Sequence, residues 1–468
     1  MKKILLILLA VFTSLTIYSQ EITGQWNGIL KVQGIQLRVV FNVSKTENGF
    51  NATMDSPDQG AKGIPVTTTT FENSKLKLEI TNARIEFNGE LKENLITGTF
   101  KQGGQEFPMN LSKEKIEKQT VIRTQEPKKP YPYYTEEVTF QNSKENITMA
   151  GTLTLPNKEG NFPVVILISG SGPQNRDEEL LGHKPFLIIS DYFTKNGIAV
   201  LRYDDRGVAQ SKGDFKTATS LDFASDVESA ITYLKTRKEI NKNKIGLVGH
   251  SEGGIIAPMV ASKSKEVNFI VLLAGTGIQG DKLLLLQQEL ISRASGVSET
   301  EIQKNKKINS KAFEIVLKSK DAPTLKTDLT KYIKKTLKDN PNDNKPKNMT
   351  DDEFVSLQVD QMTSPWMHYF IKYDPATTLE KVKCHVLAVN GEKDLQVPPK
   401  ENLTAIKNAL EKGGNKKVTI KEFPNLNHLF QECKTGSPNE YAEIEQTFSP
   451  TALDEITKWI LNQNKNPH

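Results

Sequence analysis

KIGLVGHSEGG, residues 244–254, runs an apolar stretch without a spacer into Gly-His-Ser-Glu-Gly and then into a helix-like segment. Ser251 is bracketed by Gly249 and Gly253. Small residues at those two positions suit a tight strand-to-helix turn, the kind that lifts a serine hydroxyl off the end of a sheet. A hydroxyl is a poor nucleophile until a base takes its proton, so the stretch alone is also compatible with a turn that merely contains serine. The rest of the chain has to separate the two.

Around this turn, apolar runs alternate with helical ones. VVILIS (164–169), IAVLRY (198–203), NFIVLLAG (268–275) and HVLAVN (385–390) are largely apolar at successive positions, and VTIKEF (418–423) is a further strand-like run. Strands of that kind are buried on both faces, as in a parallel sheet covered by helices. Between them Phe223, Val227, Ile231 and Leu234 keep helical spacing, and the alternation predicts a doubly wound, mostly parallel α/β sheet. EVTFQNSKENITMAGTLTLP from Glu136 reads as a hairpin leading into it. The stretch from about 280 to 370 is helical, rich in lysine and poor in strand signals, and is read as an inserted helical cap.

In such a sheet the partners of a nucleophilic serine follow in the order acid, then histidine, each just beyond the carboxyl end of a later strand. Asp394 follows the strand that ends at Asn390, and His428 follows the strand that ends at Phe423. Glu392 is the rival acid. Of the other histidines, His385 begins a strand on the wrong edge, and His183 and His368 have no strand just before them. His250 adjoins the serine but points elsewhere on so tight a turn, so a structural role is expected for it. An oxyanion needs two amide donors. Glu252 starts the helix after the serine and supplies one; the loop LISGSGPQNRDE (167–178) supplies the other through Ser171, or failing that Gly172. Gly170 and Gly172 let backbone approach a substrate. They lack the third glycine and the acidic residue of a dinucleotide fingerprint, which excludes that reading.

With SGSGPQNRDE, RYDDRGVAQS, GHSEGG, GEKDLQVP and NHLF in this order, residues 136–463 resemble an α/β-hydrolase of the secreted esterase and serine-aminopeptidase-like branch. The resemblance implies Ser251 as nucleophile, Asp394 as acid, His428 as base, the backbone amides of Ser171 and Glu252 as oxyanion donors, and a structural turn at Asp205, Arg206 and Gly207. This chain has Ser169-Gly170 where many members have His-Gly, which alters the lining of the acyl pocket but not the backbone hole. In the cap segment, SPWMHYF (364–370) offers Trp366 and Phe370 as apolar lining near the acyl site, unless they only pack the cap's own core.

Residues 21–112 differ in period. Leu37, Val39, Phe41 and Val43, then Leu76, Leu78 and Ile80, then Ile85 and Phe87 before Asn88-Gly89, alternate with polar residues. Period two with turn signals predicts a small antiparallel β-domain, barrel or sandwich. Gly24 and Trp26 resemble the opening of lipocalin-like barrels, a pattern shared by any β-domain with a core tryptophan. Residues 113–135 are charged and then carry Pro127, Pro130 and Pro132, which predicts an extended linker. The first 20 residues pair Lys2 and Lys3 with an apolar run ending near Ser19, the form of a signal peptide and too short for a membrane span. A protein exported to a periplasm or secreted is expected. Losing the two lysines lowers the formal charge from +5 to +3, too little for a nucleic-acid partner. Cys384 starts a strand whose far end leads to Asp394, whereas Cys433 lies beyond His428 on that far rim, which predicts two free thiols.

The sequence therefore predicts a serine hydrolase acting on a small acyl ester, with no metal and no organic cofactor. An aminopeptidase or oligopeptidase of the same fold is the alternative. A binding protein that recognises its ligand through the β-domain is the reading from another class.

Overall fold

The computed structural model describes residues 21–32, 35–59, 61–102, 105–117, 123–340, 345 and 349–463; the signal-like residues 1–20 lie outside them. The chain divides into two compact units, the first essentially the residues up to Gln119 and the second the residues from Thr120 onward.

The first unit is one antiparallel sheet. Its strands are β1 (Gly24–Val32), β2 (Ile35–Thr46), β3 (Gly49–Ser56), β4 (Ala61–Pro65), β5 (Thr68–Glu72), β6 (Lys75–Ile80), β7 (Ile85–Lys92), β8 (Leu95–Gln102) and β9 (Gln105–Ser112). They lie in the order β4-β3-β2-β1-β9-β8-β7-β6-β5, so the first and last strands pair and no second sheet exists for a sandwich among the described residues. Every second residue faces the core, where Trp26, Phe41, Phe87, Phe100 and Leu111 are buried together. The Trp26 indole N–H, which cannot be left unpaired there, donates to the Ile22 carbonyl at 2.7 Å. Asn88-Gly89 is not a turn, contrary to the reading of Asn-Gly as one. Gly89 sits inside β7, opposite Gly98 of β8. A Cβ at Gly89 would lie 2.4 Å from the Ile96 side chain and 2.9 Å from the Phe87 ring, so the glycine makes room for core side chains. The β7–β8 turn falls instead at Glu93, with φ +57°.

The second unit is built on β10 (Tyr134–Asn142), β11 (Ile147–Leu155), β12 (Phe162–Ile168), β13 (Ala199–Tyr203), β14 (Ile240–His250), β15 (Val267–Leu273), β16 (His385–Gly391) and β17 (Val418–Phe423). Their order is β10-β11-β13-β12-β14-β15-β16-β17. The hairpin β10–β11 is antiparallel, and from β13 across to β17 all pairs are parallel. Helices α1 (Pro185–Lys195), α2 (Ser220–Thr236) and α3 (Gly253–Ala261) follow β12, β13 and β14. The unbroken apolar runs explain the two layers. In β12, Val164, Ile166 and Ile168 pack on one face with Phe223, Val227, Ile231 and Leu234 of α2, while Val165 and Leu167 pack on the other with Phe186 and Phe193 of α1. Each such side chain contributes about 1.5–3 kcal/mol by leaving water. Chain order reverses direction at β12, which has β13 on one side and β14 on the other. Loops leaving strands at such a point open a crevice at the carboxyl edge of the sheet, where ligands of this architecture sit.

Between β15 and β16 the chain inserts α4 (Gly280–Ala294), α5 (Glu299–Lys318), α6 (Ala322–Asp339), α7 (Asp351–Met362), α8 (Pro365–Lys372) and the short α9 (Ala376–Leu379). Ser298, Asp321, Thr350 and Ser364 cap α5 to α8 by accepting amides of the first turn. The helices share an apolar core of Phe313, Val316, Leu325, Leu329, Val355 and Val359. The sheet then closes with α10 (Pro399–Lys412) and α11 (Pro450–Gln463), one on each face.

The 113–135 stretch is not wholly a free spacer. Arg123 donates to the carbonyls of Ala442 at 3.2 Å and of Ile444, and the side chain of Gln125 bonds the backbone of Thr447 and Phe448. Residues 123–135 belong to the second unit, and the side chains of Arg123 and Gln125 tie them to its backbone. Both cysteines are free, and burial pushes the Cys384 thiol up to about 12.

Candidate active site

Ser251 occupies the single step between β14 and the α3 N-cap, and its φ is +52°. L-residues other than glycine, asparagine and aspartate rarely adopt this conformation, at a cost of order 1–3 kcal/mol, and it clusters at functional sites. The turn is as tight as the two glycines suggested. A Cβ at Gly249 would lie 2.0 Å from the Gly253 carbonyl oxygen, and one at Gly253 would lie 2.2 Å from that of Ile168. The Ser251 amide is fixed by the Leu273 carbonyl at 2.8 Å.

The parallel register brings the later loops to the same rim. His250 stands opposite Leu273, Leu273 opposite Val389, and Val389 opposite Lys421. Chain leaving β14, β16 and β17 therefore emerges at nearly one level. Nδ1 of His428 is 2.8 Å from Oδ2 of Asp394, and the two residues are 4 % and 2 % exposed. Oδ1 of Asp394 accepts the amides of Gln396 and Val397, both at 2.8 Å, which locks the carboxylate. A carboxylate only accepts, so Nδ1 of His428 carries the hydrogen and Nε2 of the neutral ring is left basic. Among the described residues neither this Nε2 nor Oγ of Ser251 has a hydrogen-bond partner. The rival acid Glu392 is turned to the amide of Asn425, at 2.9 Å, and does not reach His428.

Glu252 is only 3 % exposed, yet among the described residues its amide has no partner. Buried backbone donors are almost always paired, so an unpaired one beside Ser251 marks a place for an incoming acceptor. The Ser171 amide is likewise unpartnered among the described residues, whereas that of Gly170 is consumed by Oε1 of Glu178 at 2.7 Å. A Cβ on Gly170 would lie 3.1 Å from Cβ of Ser251, so this loop lies directly against the Ser251 turn. Gly172 has φ +99°, and a Cβ there would meet only the Gln174 side chain, at 3.8 Å.

The Glu252 side chain turns inward. Its Oε1 accepts from the Ser220 hydroxyl at 2.6 Å and from the Trp366 indole at 2.8 Å. Burial raises its pKa above the usual carboxylate range, against those two bonds. Trp366 stacks on Phe370 with centroids 5.0 Å apart. Phe370 itself is buried, its carbonyl oxygen where a Cβ on Gly280 would fall. Helix α8 thus reaches the rim through Trp366, and Phe370 supports it from the core.

The stretch around Asp205 holds the loops together. Asp204 pairs with Arg176 at 2.7 Å and Arg206 with Asp226 at 2.8 Å. Burial pushes Asp205 up to about 8 despite bonds from the Ser169 hydroxyl at 2.7 Å and the Gln174 amide at 3.0 Å. His183 is a packing residue, bound to Thr447 and to the Tyr441 carbonyl. His250 is not turned away from the site, as the tight turn had suggested. It bonds Glu178 through Nδ1 at 2.9 Å and the His428 carbonyl through Nε2 at 3.0 Å. Glu178 closes the SGSGPQNRDE stretch, and its place in that motif is the sequence signal that could have found it. Among the described residues no cluster of three or more His, Cys, Asp or Glu side chains is arranged to hold a metal ion.

A family model described as X-Pro dipeptidyl-peptidase (S15 family) matches residues 145–422, which include Ser251 and Asp394 and end before His428. Esterase EstD of Thermotoga maritima is 26% identical over 339 residues, 70% of each chain. An uncharacterized 31.7 kDa protein of Escherichia coli is 26% identical over 257 residues, 53% of this chain and 79% of its own. Among solved structures, an esterase of Pyrococcus furiosus is similar with a TM-score of 0.41 and 13% identity, over 71% of this chain and 90% of its own.

Proposed function

This chain belongs to the X-Pro dipeptidyl-peptidase (S15) family of hydrolases, and on that premise we propose that it cleaves small carboxylic esters through an acyl-enzyme formed on Ser251. The observation that carries the proposal is the Asp394–His428 bond of 2.8 Å on the rim where Ser251 is held at φ +52°. Oγ of Ser251 attacks the ester carbonyl and gives its proton to Nε2 of His428. Asp394, bonded to Nδ1–H, holds the ring in that tautomer and stabilises the imidazolium that results. The amides of Glu252 and Ser171 receive the oxyanion, helped by the N-terminus of α3. The intermediate expels the alcohol, protonated by His428, and water repeats the sequence to release the acid.

Preference for an ester over a peptide N-terminus rests on the carboxyls around the serine. A site that grips an α-ammonium needs a free carboxylate. Glu252 is engaged by Ser220 and Trp366, Glu178 by Gly170 and His250, and Asp205 by Ser169 and Gln174. Esters also demand less of the site, because an alkoxide departs with less assistance than an amine. The esterase among the relatives points the same way, and the family's description favours the peptidase reading. Comparing kcat/KM for a butyryl ester and an aminoacyl-prolyl anilide decides between them: a higher value for the ester is expected, and an equal or higher value for the anilide overturns the ester reading. Export is part of the same proposal, supported by the basic and apolar start of the chain. Recovering the protein inside the cytoplasm with residues 1–20 still attached would count against it.

A further inference from the structure

The nucleophile, the base and the oxyanion loop come from three separate segments, and one buried pair of side chains touches all three. Oε1 of Glu178 accepts the Gly170 amide at 2.7 Å and faces Nδ1 of His250 at 2.9 Å. Gly170 adjoins Ser171, and His250 adjoins Ser251. Nε2 of His250 is 3.0 Å from the main-chain carbonyl of His428. The His250 and His428 rings lie 4.9 Å apart.

The hydrogen-bond partners determine the protons. A carbonyl only accepts, so Nε2 of His250 must carry a hydrogen. Oε1 of Glu178 already accepts an amide, and as a carboxylate oxygen it also accepts from Nδ1–H, which leaves the ring doubly protonated. The neutral alternative would put the proton on Oε1, making a hydroxyl the acceptor for Gly170, a weaker arrangement than a charge-assisted pair.

Resting on the assignment of Ser251 and His428 above, we infer that His250 and Glu178 are positioning residues that, as imidazolium and carboxylate, lock the base's loop and the oxyanion loop onto the nucleophile turn. Burial alone would lower the pKa of His250, but the charge and hydrogen bond of Glu178 and the His428 carbonyl outweigh it and the net shift is upward. The titratable groups facing His250 are Glu178 and, across the rim, Asp394 and His428. Its other surroundings are apolar, with Phe186, Ile189, Leu273, Leu429 and Phe448 around the same small cavity. His428 is then held at both ends, its ring by Asp394 and its backbone by His250. Placement of this kind matters because displacing a reacting group by about 1 Å can cost about 100-fold in rate.

Two substitutions in the full chain separate the bonds. His250→Gln carries an amide to where Nε2 stands and keeps the bond to the His428 carbonyl. His250→Asn carries one to where Nδ1 stands and keeps only the bond to Glu178. Both remove the positive charge beside the His428 ring while Glu178 stays negative, which favours protonation of the base. The expected result is that His250→Asn lowers kcat about 30-fold with KM nearly unchanged, and that His250→Gln recovers roughly fivefold of the loss. The acid limb of the kcat/KM profile should move to higher pH in both. The isosteric Glu178→Gln lowers kcat without moving that limb upward, and serves as the test if either histidine variant fails to fold. Wild-type kcat and acid limb in folded variants that lose only thermal stability would overturn the inference. A fluorophosphonate probe that fails to label Ser251 in the wild-type protein would instead overturn the assignment it rests on.

Discussion

The indole N–H of Trp366 donates to Oε1 of Glu252 at 2.8 Å, tying helix α8 of the insertion to the residue that follows Ser251. The residue whose backbone would receive the oxyanion is thus held through its side chain by an element inserted more than a hundred residues later in the chain. The remaining partner of that oxygen is Ser220, at 2.6 Å.

Trp366→Phe preserves stacking on Phe370 and removes only the N–H. A buried oxygen then loses one partner, which costs about 1–3 kcal/mol of stability. We expect kcat/KM for a butyryl ester to fall about tenfold, the equivalent of about 1.4 kcal/mol in transition-state stabilisation. Glu252→Gln accepts both hydrogen bonds through its amide oxygen and should remain within about threefold of wild type. Equal activity of Trp366→Phe and wild type would show that the contact is packing alone.

The two acids near the end of β16 make opposite predictions. Asp394→Asn leaves the geometry in place but supplies the wrong partner for Nδ1–H, and should reduce kcat by about 10,000-fold. Glu392→Gln disturbs only a bond to the Asn425 amide and should leave kcat nearly unchanged. Steady-state kinetics of the two variants check this, and the reverse order would reassign the acid.

Asp205 gives a stability prediction with a definite sign. Burial pushes it up to about 8 in the folded chain, against about 3.9 when unfolded. Between those values the folded state holds a proton that the unfolded state has released. Its contribution to stability is therefore complete below about pH 4 and is lost as pH rises towards about 8. Asp205→Asn keeps partners for both Ser169 and Gln174 and does not ionise. Its melting temperature relative to wild type should rise steadily from about pH 5 to about pH 8, and a difference independent of pH would contradict the assignment.

What the sequence made legible was whatever depends on local pattern. Apolar runs on both strand faces revealed the parallel sheet, and the strand ends before Asp394 and His428 put both on the rim reached by Ser251. Less legible were features that depend on what lies across the fold. Asn88-Gly89 has the composition of a turn, but the Phe87 ring and Ile96 take the space beside Gly89 and keep it in a strand. Arg123 finds its carbonyls at Ala442 and Ile444, a contact that only the folded chain makes. The turn that carries His250 does not reveal its partners, because Glu178 and the His428 carbonyl come from two other loops.

Covalent labelling reads out whether Ser251 is the nucleophile of a hydrolase. Intact-mass and peptide analysis after treatment with a fluorophosphonate should find one adduct, on Ser251, formed in step with loss of ester hydrolysis. Ser251→Ala should be folded, unlabelled and slower by about a millionfold in kcat. A Ser251→Ala protein that retains ester hydrolysis, or an adduct on another residue that accounts for the inactivation, would show that Ser251 is not the nucleophile.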